Sequence, residues 1–178
     1  MLKNKKILIT GIANKFSIAN GIAQSMSKNG AELAFAYQNE RLLKKIKPIA
    51  DDLGVKTLIE CDVSCDQSIE QTFSQIKDEW GTLDGIVHSI GFAPSDQLDG
   101  DFTEVTTREG FKIAHDISSY SFTALAKGAL PILSDNAALL TLTYLGSMQS
   151  LPNYNVMGLA KASLEACLLY TSPSPRDT

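Results

Sequence analysis

Short apolar runs alternate along the chain with longer stretches in which apolar residues recur every three or four positions. The short runs are 5–10, 31–37, 56–61, 85–89 and 138–143. Each has the length and composition of a buried strand. The periodic stretches, which predict helices, are 17–29, 40–53, 67–80 and 108–130. Strands that alternate with helices predict an α/β fold built on a parallel, doubly wound sheet.

The residues that directly follow the predicted strands are the first candidates for a functional site. In a Rossmann-type sheet, here expected as three αβα layers, ligands bind beyond the carboxyl ends of the strands. Gly11, Gln38, Asp62 and Ile90 each follow a predicted strand. We therefore expect these four residues to lie close together.

The loop after the first strand has some features of a phosphate-binding turn. It lacks the GxGxxG fingerprint of dinucleotide sites. Gly11 permits a tight turn, and Ser17 could cap a helix whose first N–H groups, those of Ile18 and Ala19, could meet a pyrophosphate. An ordinary capped turn explains the same residues equally well.

The position after the second strand bears on the choice of cofactor. Dinucleotide sites usually carry Asp or Glu there to bind the adenosine ribose, whereas this chain has Gln38. Arg41 could accept the 2′-phosphate of NADPH, but Glu40 beside it would repel that phosphate. The residues therefore favour NADH and leave NADPH as the weaker alternative.

Two further strand ends supply candidate contacts to a nucleotide. Asp62 could accept a hydrogen bond from adenine while Val63 packs on the ring, although a turn-capping role explains Asp62 equally well. Ile90 could pack on ribose or nicotinamide. His88 lies in an apolar strand and is predicted to be a hydrogen-bonded core residue, and His115 is interpreted in the same way.

The segment after the fifth strand holds the residues best suited to chemistry. Tyr154 and Lys161 are about two helical turns apart, so a helix would place them on one face. A lysine ammonium near a phenol lowers the pKa of that phenol from its reference value near 10. The alternative is a packed aromatic residue and a solvated lysine, and the spacing alone does not decide between them.

Charge and composition exclude several classes of protein. The formal net charge is −4, and no block is dense in lysine or arginine, which argues against nucleic-acid or anionic-membrane partners. We expect no signal peptide and no membrane insertion, hence a cytoplasmic location. The cysteines form no CxxC pair and accompany no histidine cluster, so we expect reduced thiols and no metal. The three are Cys61, Cys65 and Cys167.

Four segments carry a resemblance to a known family. They are 88–94, 96–101, 107–122 and 152–161. Together they resemble the bacterial, NADH-type enoyl-acyl-carrier-protein reductases, a divergent branch of the short-chain dehydrogenase/reductases. Generic members of that larger group place lysine four residues after the catalytic tyrosine. Here Met157 is the residue four before Lys161, so the wider spacing from Tyr154 favours the enoyl reductases.

The resemblance implies a reaction and a role for each matching residue. The reaction is the reduction of trans-2-enoyl thioesters on acyl carrier protein in type II fatty-acid biosynthesis, by a homotetramer. Tyr154 would stabilise the enolate, Lys161 would hold the nicotinamide ribose, Tyr144 would flank the acyl chain or relay a proton, and Ala93 would contact substrate. The positions matching cofactor contacts, besides Lys161, are Gly11, Ser17, Ile18, Gln38, Asp62, Val63 and Ile90.

The resemblance stops after Ala166. This predicts an incomplete reductase domain at 1–166 and a tail at 167–178. We interpret the tail as non-native because its two prolines break the helical pattern and its sequence looks like translated cloning or sequencing adapter. Relatives continue with two more strands, a loop over the nicotinamide and a substrate-binding helix. We expect a chain without them to be poorly stable, with apolar surface uncovered at its fifth strand and turnover in question. The alternatives are a short-chain carbonyl or 3-oxoacyl reductase and a catalytically silent nucleotide-binding fragment.

Overall fold

The structure, a computed structural model, describes residues 2–171. The described chain groups into two compact units. One comprises 2–89 with 127–141, and the other comprises 90–126 with 142–171.

The first unit is built on a five-stranded parallel sheet in the order β3-β2-β1-β4-β5. The strands are β1 (Lys6–Ile9), β2 (Glu32–Tyr37), β3 (Thr57–Glu60), β4 (Leu83–His88) and β5 (Leu133–Thr141). The five predicted strands are thus confirmed, with small shifts at most of their ends. Chain order in the sheet reverses at β1 and β4, as in a Rossmann-type fold.

Strand β5 begins five residues earlier than the apolar pattern predicted. Leu133 pairs with Leu83, and the next aligned pair joins Ala138 to Gly85, so a bulge absorbs the residues between. The polar positions 134–136 fall in this bulge, where they interrupt the apolar run. Within the described residues β5 is an edge strand, and Leu140 is 43% exposed, which agrees with the expected apolar surface there.

Helices cover both faces of this sheet. Helices α1 (Ile18–Lys28) and α2 (Glu40–Leu53) pack on one face through an apolar cluster. The strand residues in this cluster alternate along each strand: Ile7, Ile9, Leu33, Phe35 and Val87. The crossover through α3 (Asp66–Trp80) runs back across the sheet, so its right-handed connection lies on the opposite face. The predicted doubly wound α/β fold is therefore confirmed.

The second unit is mainly helical. It contains α4 (Phe102–Val105), α5 (Arg108–His115), the start of α6 (Ser121–Ala129) and α7 (Asn155–Thr171). A buried cluster joins α5 to α7 and includes the partly buried Ala93 and Leu98. Its buried members are Ala114, Val156 and Ala160.

The single helix predicted over 108–130 is interrupted. A π-helical segment, Asp116–Tyr120, separates α5 from α6. Ser118 Oγ accepts a hydrogen bond from the N–H of Phe92 and donates one to the Phe92 carbonyl, both at 2.9 Å. These two bonds fix the π-helical segment against the backbone of Phe92.

Helix α7 does not end at Ala166, the predicted limit of the reductase domain. It continues to Thr171. The two prolines of the predicted tail lie outside the described residues, so the non-native origin of the tail and the domain limit at 166 stay predictions.

Candidate functional site

Gly11 closes the turn after β1 in a geometry that only glycine fits. Its φ is +80°, and a Cβ atom there would overlap the carbonyl oxygen of Ser89. The preceding Thr10 donates to the Val87 carbonyl from both its N–H, at 2.9 Å, and its hydroxyl, at 3.1 Å. The end of β1 is thereby fixed against the end of β4.

Ser17 occupies the N-cap position of α1, but the predicted side-chain cap is wrong. Its Oγ accepts hydrogen bonds from the N–H groups of Ala13 and Asn14, each at 3.0 Å, and donates to the Asn14 carbonyl at 2.8 Å. The serine therefore orders the loop and does not cap the N–H groups of Ile18 and Ala19. The first N–H groups of a helix have no hydrogen-bond partner within the helix, so they can donate hydrogen bonds to an anion.

Gln38 and Asp62 follow β2 and β3, the neighbours of β1 in the sheet. Gln38 is exposed. Asp62 Oδ1 accepts from the N–H of Ser64 at 3.0 Å and from its hydroxyl at 2.7 Å, which is the turn-capping geometry considered above. Val63 beside it is buried. Gly11, Gln38 and Asp62 thus share one edge of the parallel sheet, while a contact of Asp62 or Val63 with adenine stays a prediction.

Lys161, in the second unit, is a buried cation. It is only 7% exposed, so the solvated lysine considered from the sequence is wrong. Its Nζ donates to the carbonyl oxygens of Ile90, at 3.2 Å, and Leu142, at 3.0 Å. Burial lowers the pKa of the Lys161 ammonium below its ordinary value. Ile90, half-buried, therefore meets Lys161 through its backbone.

Gly91 leaves the backbone beside Lys161 uncovered. A Cβ atom there would lie 3.5 Å from Lys161 Nζ and 3.4 Å from the Met157 methyl carbon. A side chain at this position would therefore crowd the ammonium.

Tyr154 precedes the first residue of α7 and lies among glycines. A Cβ atom at Gly146 would overlap its ring, and one at Gly158 would lie 3.7 Å from it. The ring of Tyr144 meets it edge to face, with 5.0 Å between centroids. The structure therefore brings together Tyr144 and Tyr154, the two tyrosines that the sequence singled out.

The pKa of Tyr154 is raised, so the predicted lowering by Lys161 is wrong. Burial is the main cause, and the neighbouring Tyr144 adds to it. The Lys161 ammonium is instead directed to two backbone carbonyls. Tyr154 therefore keeps its proton at neutral pH, so its hydroxyl is able to donate a hydrogen bond.

The turn around Tyr154 has two residues in left-handed backbone conformation that the sequence reading missed. Asn153 has φ +58° and Asn155 has φ +33°. The Asn155 amide donates to the carbonyl oxygens of Leu98 and Gly100, each at 3.1 Å. Asparagine tolerates this conformation better than other side chains, and this was the available signal.

A cavity of about 390 Å³ in the second unit has Tyr154 in its wall. Its other lining groups include Phe102, Met148, Leu151 and Leu159. Ala93 packs against the α5–α7 cluster, and its predicted contact with substrate stays a prediction.

The two histidines differ in burial and in the groups they contact. His88 is fully buried and its Nδ1 lies 2.8 Å from Thr141 Oγ1, which confirms a hydrogen-bonded core histidine. His115 is only partly buried and stacks on the Phe111 ring at 4.0 Å between centroids, so its assignment to the core is wrong. The stacking partner lies four residues earlier on the same helix, and this spacing was the missed signal.

Residues 2–171 contain no group of three or more His, Cys, Asp or Glu side chains arranged to hold a metal ion. No described helix combines the length and apolar character needed to cross a bilayer.

Comparison with known proteins gives one consistent family. The family model described as "Enoyl-(Acyl carrier protein) reductase" matches residues 11–174. The NADH enoyl-acyl-carrier-protein reductase of Escherichia coli (strain K12) is 57% identical over 169 residues, covering 95% of this chain and 64% of that protein. The Haemophilus influenzae enzyme is 53% identical over 165 residues, covering 93% and 63%. The chain thus spans just under two thirds of the length of these relatives.

Two solved structures of enoyl-acyl-carrier-protein reductases also match this chain. The NADH enoyl-acyl-carrier-protein reductase of Aquifex aeolicus VF5 matches with a TM-score of 0.92 at 46% identity, covering 95% of this chain and 67% of that one. The Anaplasma phagocytophilum reductase, solved in complex with NAD, matches with a TM-score of 0.93 at 40% identity, covering 96% and 65%.

Proposed function

Since the chain belongs to the enoyl-acyl-carrier-protein reductase family, we propose that it reduces trans-2-enoyl thioesters carried on acyl carrier protein, with NADH as the reductant. The observation that carries the proposal is a buried, carbonyl-bonded Lys161 on α7, with Tyr154 directly before the first residue of that helix. The step belongs to type II fatty-acid biosynthesis. It is classed as an oxidoreductase acting on a carbon–carbon double bond.

Each unit, taken by itself, has residues that fit one part of a dinucleotide. In the first unit, the turn at Gly11 and the N–H groups at the start of α1 would hold the pyrophosphate, with Ser17 ordering the loop. Gln38 would face the adenosine ribose, and Asp62 with Val63 would contact adenine. In the second unit, Ile90 would pack on nicotinamide and Lys161 would donate to the ribose hydroxyls. NADH fits better than NADPH because Glu40 adjoins Arg41.

The chemistry of the second unit follows from its hydrogen-bond donors. When bound, NADH supplies a hydride to the β-carbon of the enoyl group, and negative charge then develops on the thioester oxygen. Tyr154 would donate its O–H to that oxygen, and its raised pKa keeps the proton in place. Tyr144 would flank the acyl chain or relay a proton, and Ala93 would contact the substrate through its backbone.

The family also supports the remaining parts of the proposal. Acyl carrier protein is the partner that delivers the substrate, a homotetramer is the assembly, and the cytoplasm is the location. Neither nucleic acid nor membrane insertion is part of it, in line with the net charge of −4.

A substrate panel separates the proposal from its alternatives. We expect NADH consumption with a trans-2-enoyl thioester at a rate at least about tenfold above that with a 3-oxoacyl thioester, because binding at the transition state discriminates between substrates. A preference for the 3-oxoacyl thioester would indicate a carbonyl reductase. NADH binding by calorimetry without turnover of either thioester would indicate a catalytically silent fragment.

A further inference from the structure

The segment from Leu142 to Ser147 connects β5 to the Tyr154 region and contains Tyr144. It ends in a short 3-10 turn, Leu145–Ser147. At the centre of this turn, Gly146 lies against the Tyr154 ring so closely that no side chain would fit. The path of this segment therefore decides where Tyr144 and Tyr154 meet.

Helix α7 holds this segment at three positions. Gly158 leaves room for the Gly146 carbonyl oxygen, which would lie 2.6 Å from a Cβ atom there. Lys161 Nζ donates to the Leu142 carbonyl at 3.0 Å. Glu165 accepts a hydrogen bond from the Thr143 hydroxyl. Residues 158, 161 and 165 are three and four apart, so they lie on one face of the helix.

Glu165 makes a second contact with the same segment. Hydrogen bonding from Ser147, together with that from Thr143, lowers the pKa of Glu165. An ionised carboxylate only accepts hydrogen bonds, so it suits two hydroxyl donors. One donor adjoins Tyr144 in the chain and the other adjoins Gly146, so a single side chain fixes the segment on both sides of Tyr144.

We propose that Glu165 is a positioning residue that holds the 142–147 segment through Thr143 and Ser147 and thereby sets the contact between Tyr144 and Tyr154. Glu165 does not itself touch substrate or cofactor. The proposal rests on the proposed function only in its kinetic consequences, because the contact geometry exists without turnover.

The kinetic test compares Glu165→Ala with Glu70→Ala, a control at an exposed glutamate of α3. We expect Glu165→Ala to lower kcat about ten- to hundredfold, because small displacements of catalytic groups cost that much. KM for NADH should change by less than about threefold, since uniform binding is not the quantity lost. A rise in KM with unchanged kcat, or an effect equal to that of Glu70→Ala, would overturn the proposal.

A double-variant experiment separates positioning by Glu165 from a general loss of stability. If Glu165 acts through the Tyr144 ring, Glu165→Ala should cost little further rate in a Tyr144→Ala background, and Thr143→Val should reproduce part of its effect. Thr143→Val also keeps the test valid should Glu165→Ala fail to fold. Additive losses in the double variant would contradict the proposal.

A spectroscopic readout does not depend on turnover. With 3-fluorotyrosine placed at position 144, the wild-type protein should give one narrow fluorine resonance. Glu165→Ala should broaden or shift it, and Glu70→Ala should leave it unchanged. An unchanged resonance in Glu165→Ala would refute the positioning role even if the wild-type protein reduced no enoyl thioester, so failure of this proposal is distinguishable from failure of the proposed function.

Discussion

At the scale of single residues, burial and local hydrogen bonds decide the charge states that matter. Burial raises the pKa of Tyr154 and lowers that of Lys161, so both changes disfavour a charged pair. Lys161 donates to two backbone carbonyls, and Tyr154 keeps its proton at neutral pH. The proposed function therefore needs two hydrogen-bond donors and no phenolate.

Asp84 gives a residue-scale prediction in the first unit. It accepts hydrogen bonds from Lys5 Nζ at 2.8 Å, from the Lys6 N–H at 3.0 Å and from Ser134 Oγ at 2.9 Å. Burial alone would raise the pKa of Asp84, but these bonds outweigh it and hold the pKa below its usual 3.8. The carboxylate therefore stabilises the folded state, and Asp84→Asn should lower the free energy of unfolding at neutral pH by about 1–3 kcal/mol.

The pH dependence of this effect has a definite sign. A depressed pKa contributes stability that is complete above the unfolded pKa of about 4 and is lost as pH falls through the folded value. Urea denaturation should therefore show the difference between wild type and Asp84→Asn shrinking below about pH 4. Asp52→Asn, at an exposed position on α2, is the matched control. A difference that persists unchanged in acid would contradict the assignment.

Residue types and positions at strand ends predicted the candidate site residues. They did not predict the direction and contacts of each side chain. Gly11 and Lys161 were identifiable because a strand-end glycine and a lysine spaced two turns from a tyrosine are sequence features. The backward bonds of Ser17 and the stacking of His115 depend on atoms of neighbouring residues. The direction of the Tyr154 pKa depends on burial, which a spacing argument does not contain.

At the scale of elements, apolar periodicity predicted the strands and the helices of the first unit. It failed at two places where the backbone departs from regular geometry. These are the π-helical segment Asp116–Tyr120 and the bulge in β5, which holds the polar positions 134–136. The apolar pattern does not reveal such departures, so it predicted an unbroken helix and a shortened strand.

Replacing two helical glycines by alanine should change the free energy of unfolding in opposite directions. A Cβ atom at Gly128 in α6 would lie 2.6 Å from the Phe73 ring of α3, whereas one at Gly21 in α1 meets no atom within 4 Å. Gly128→Ala should lower the free energy of unfolding by about 1–3 kcal/mol through overpacking. Gly21→Ala should raise it by up to about 1 kcal/mol, because alanine favours the helix.

Chemical denaturation of both variants measures this pair directly. Because the two changes add the same methyl group to helices, each is the control of the other. Equal effects of the two substitutions, in either direction, would contradict the close packing of α6 on α3.

At the scale of the whole molecule, the long matching segments identified the family that the comparisons establish, and periodicity identified the fold. What remains proposed is the activity of a chain that spans just under two thirds of the length of its curated relatives. The proposed site residues divide between two compact units. The proposed function depends most on one step, in which Tyr154 would stabilise the charge that develops on an enoyl thioester.

The most direct measurement is the rate of NADH oxidation with a trans-2-enoyl thioester, followed by NADH absorbance in the wild-type chain, Tyr154→Phe and Tyr120→Phe. Tyr120 is exposed and serves as the matched control. The account predicts enoyl-dependent oxidation by wild type and Tyr120→Phe, and a loss of about a hundredfold or more in Tyr154→Phe, as when an oxyanion donor is removed. No enoyl-dependent oxidation by wild type, or an undiminished rate in Tyr154→Phe, would contradict it.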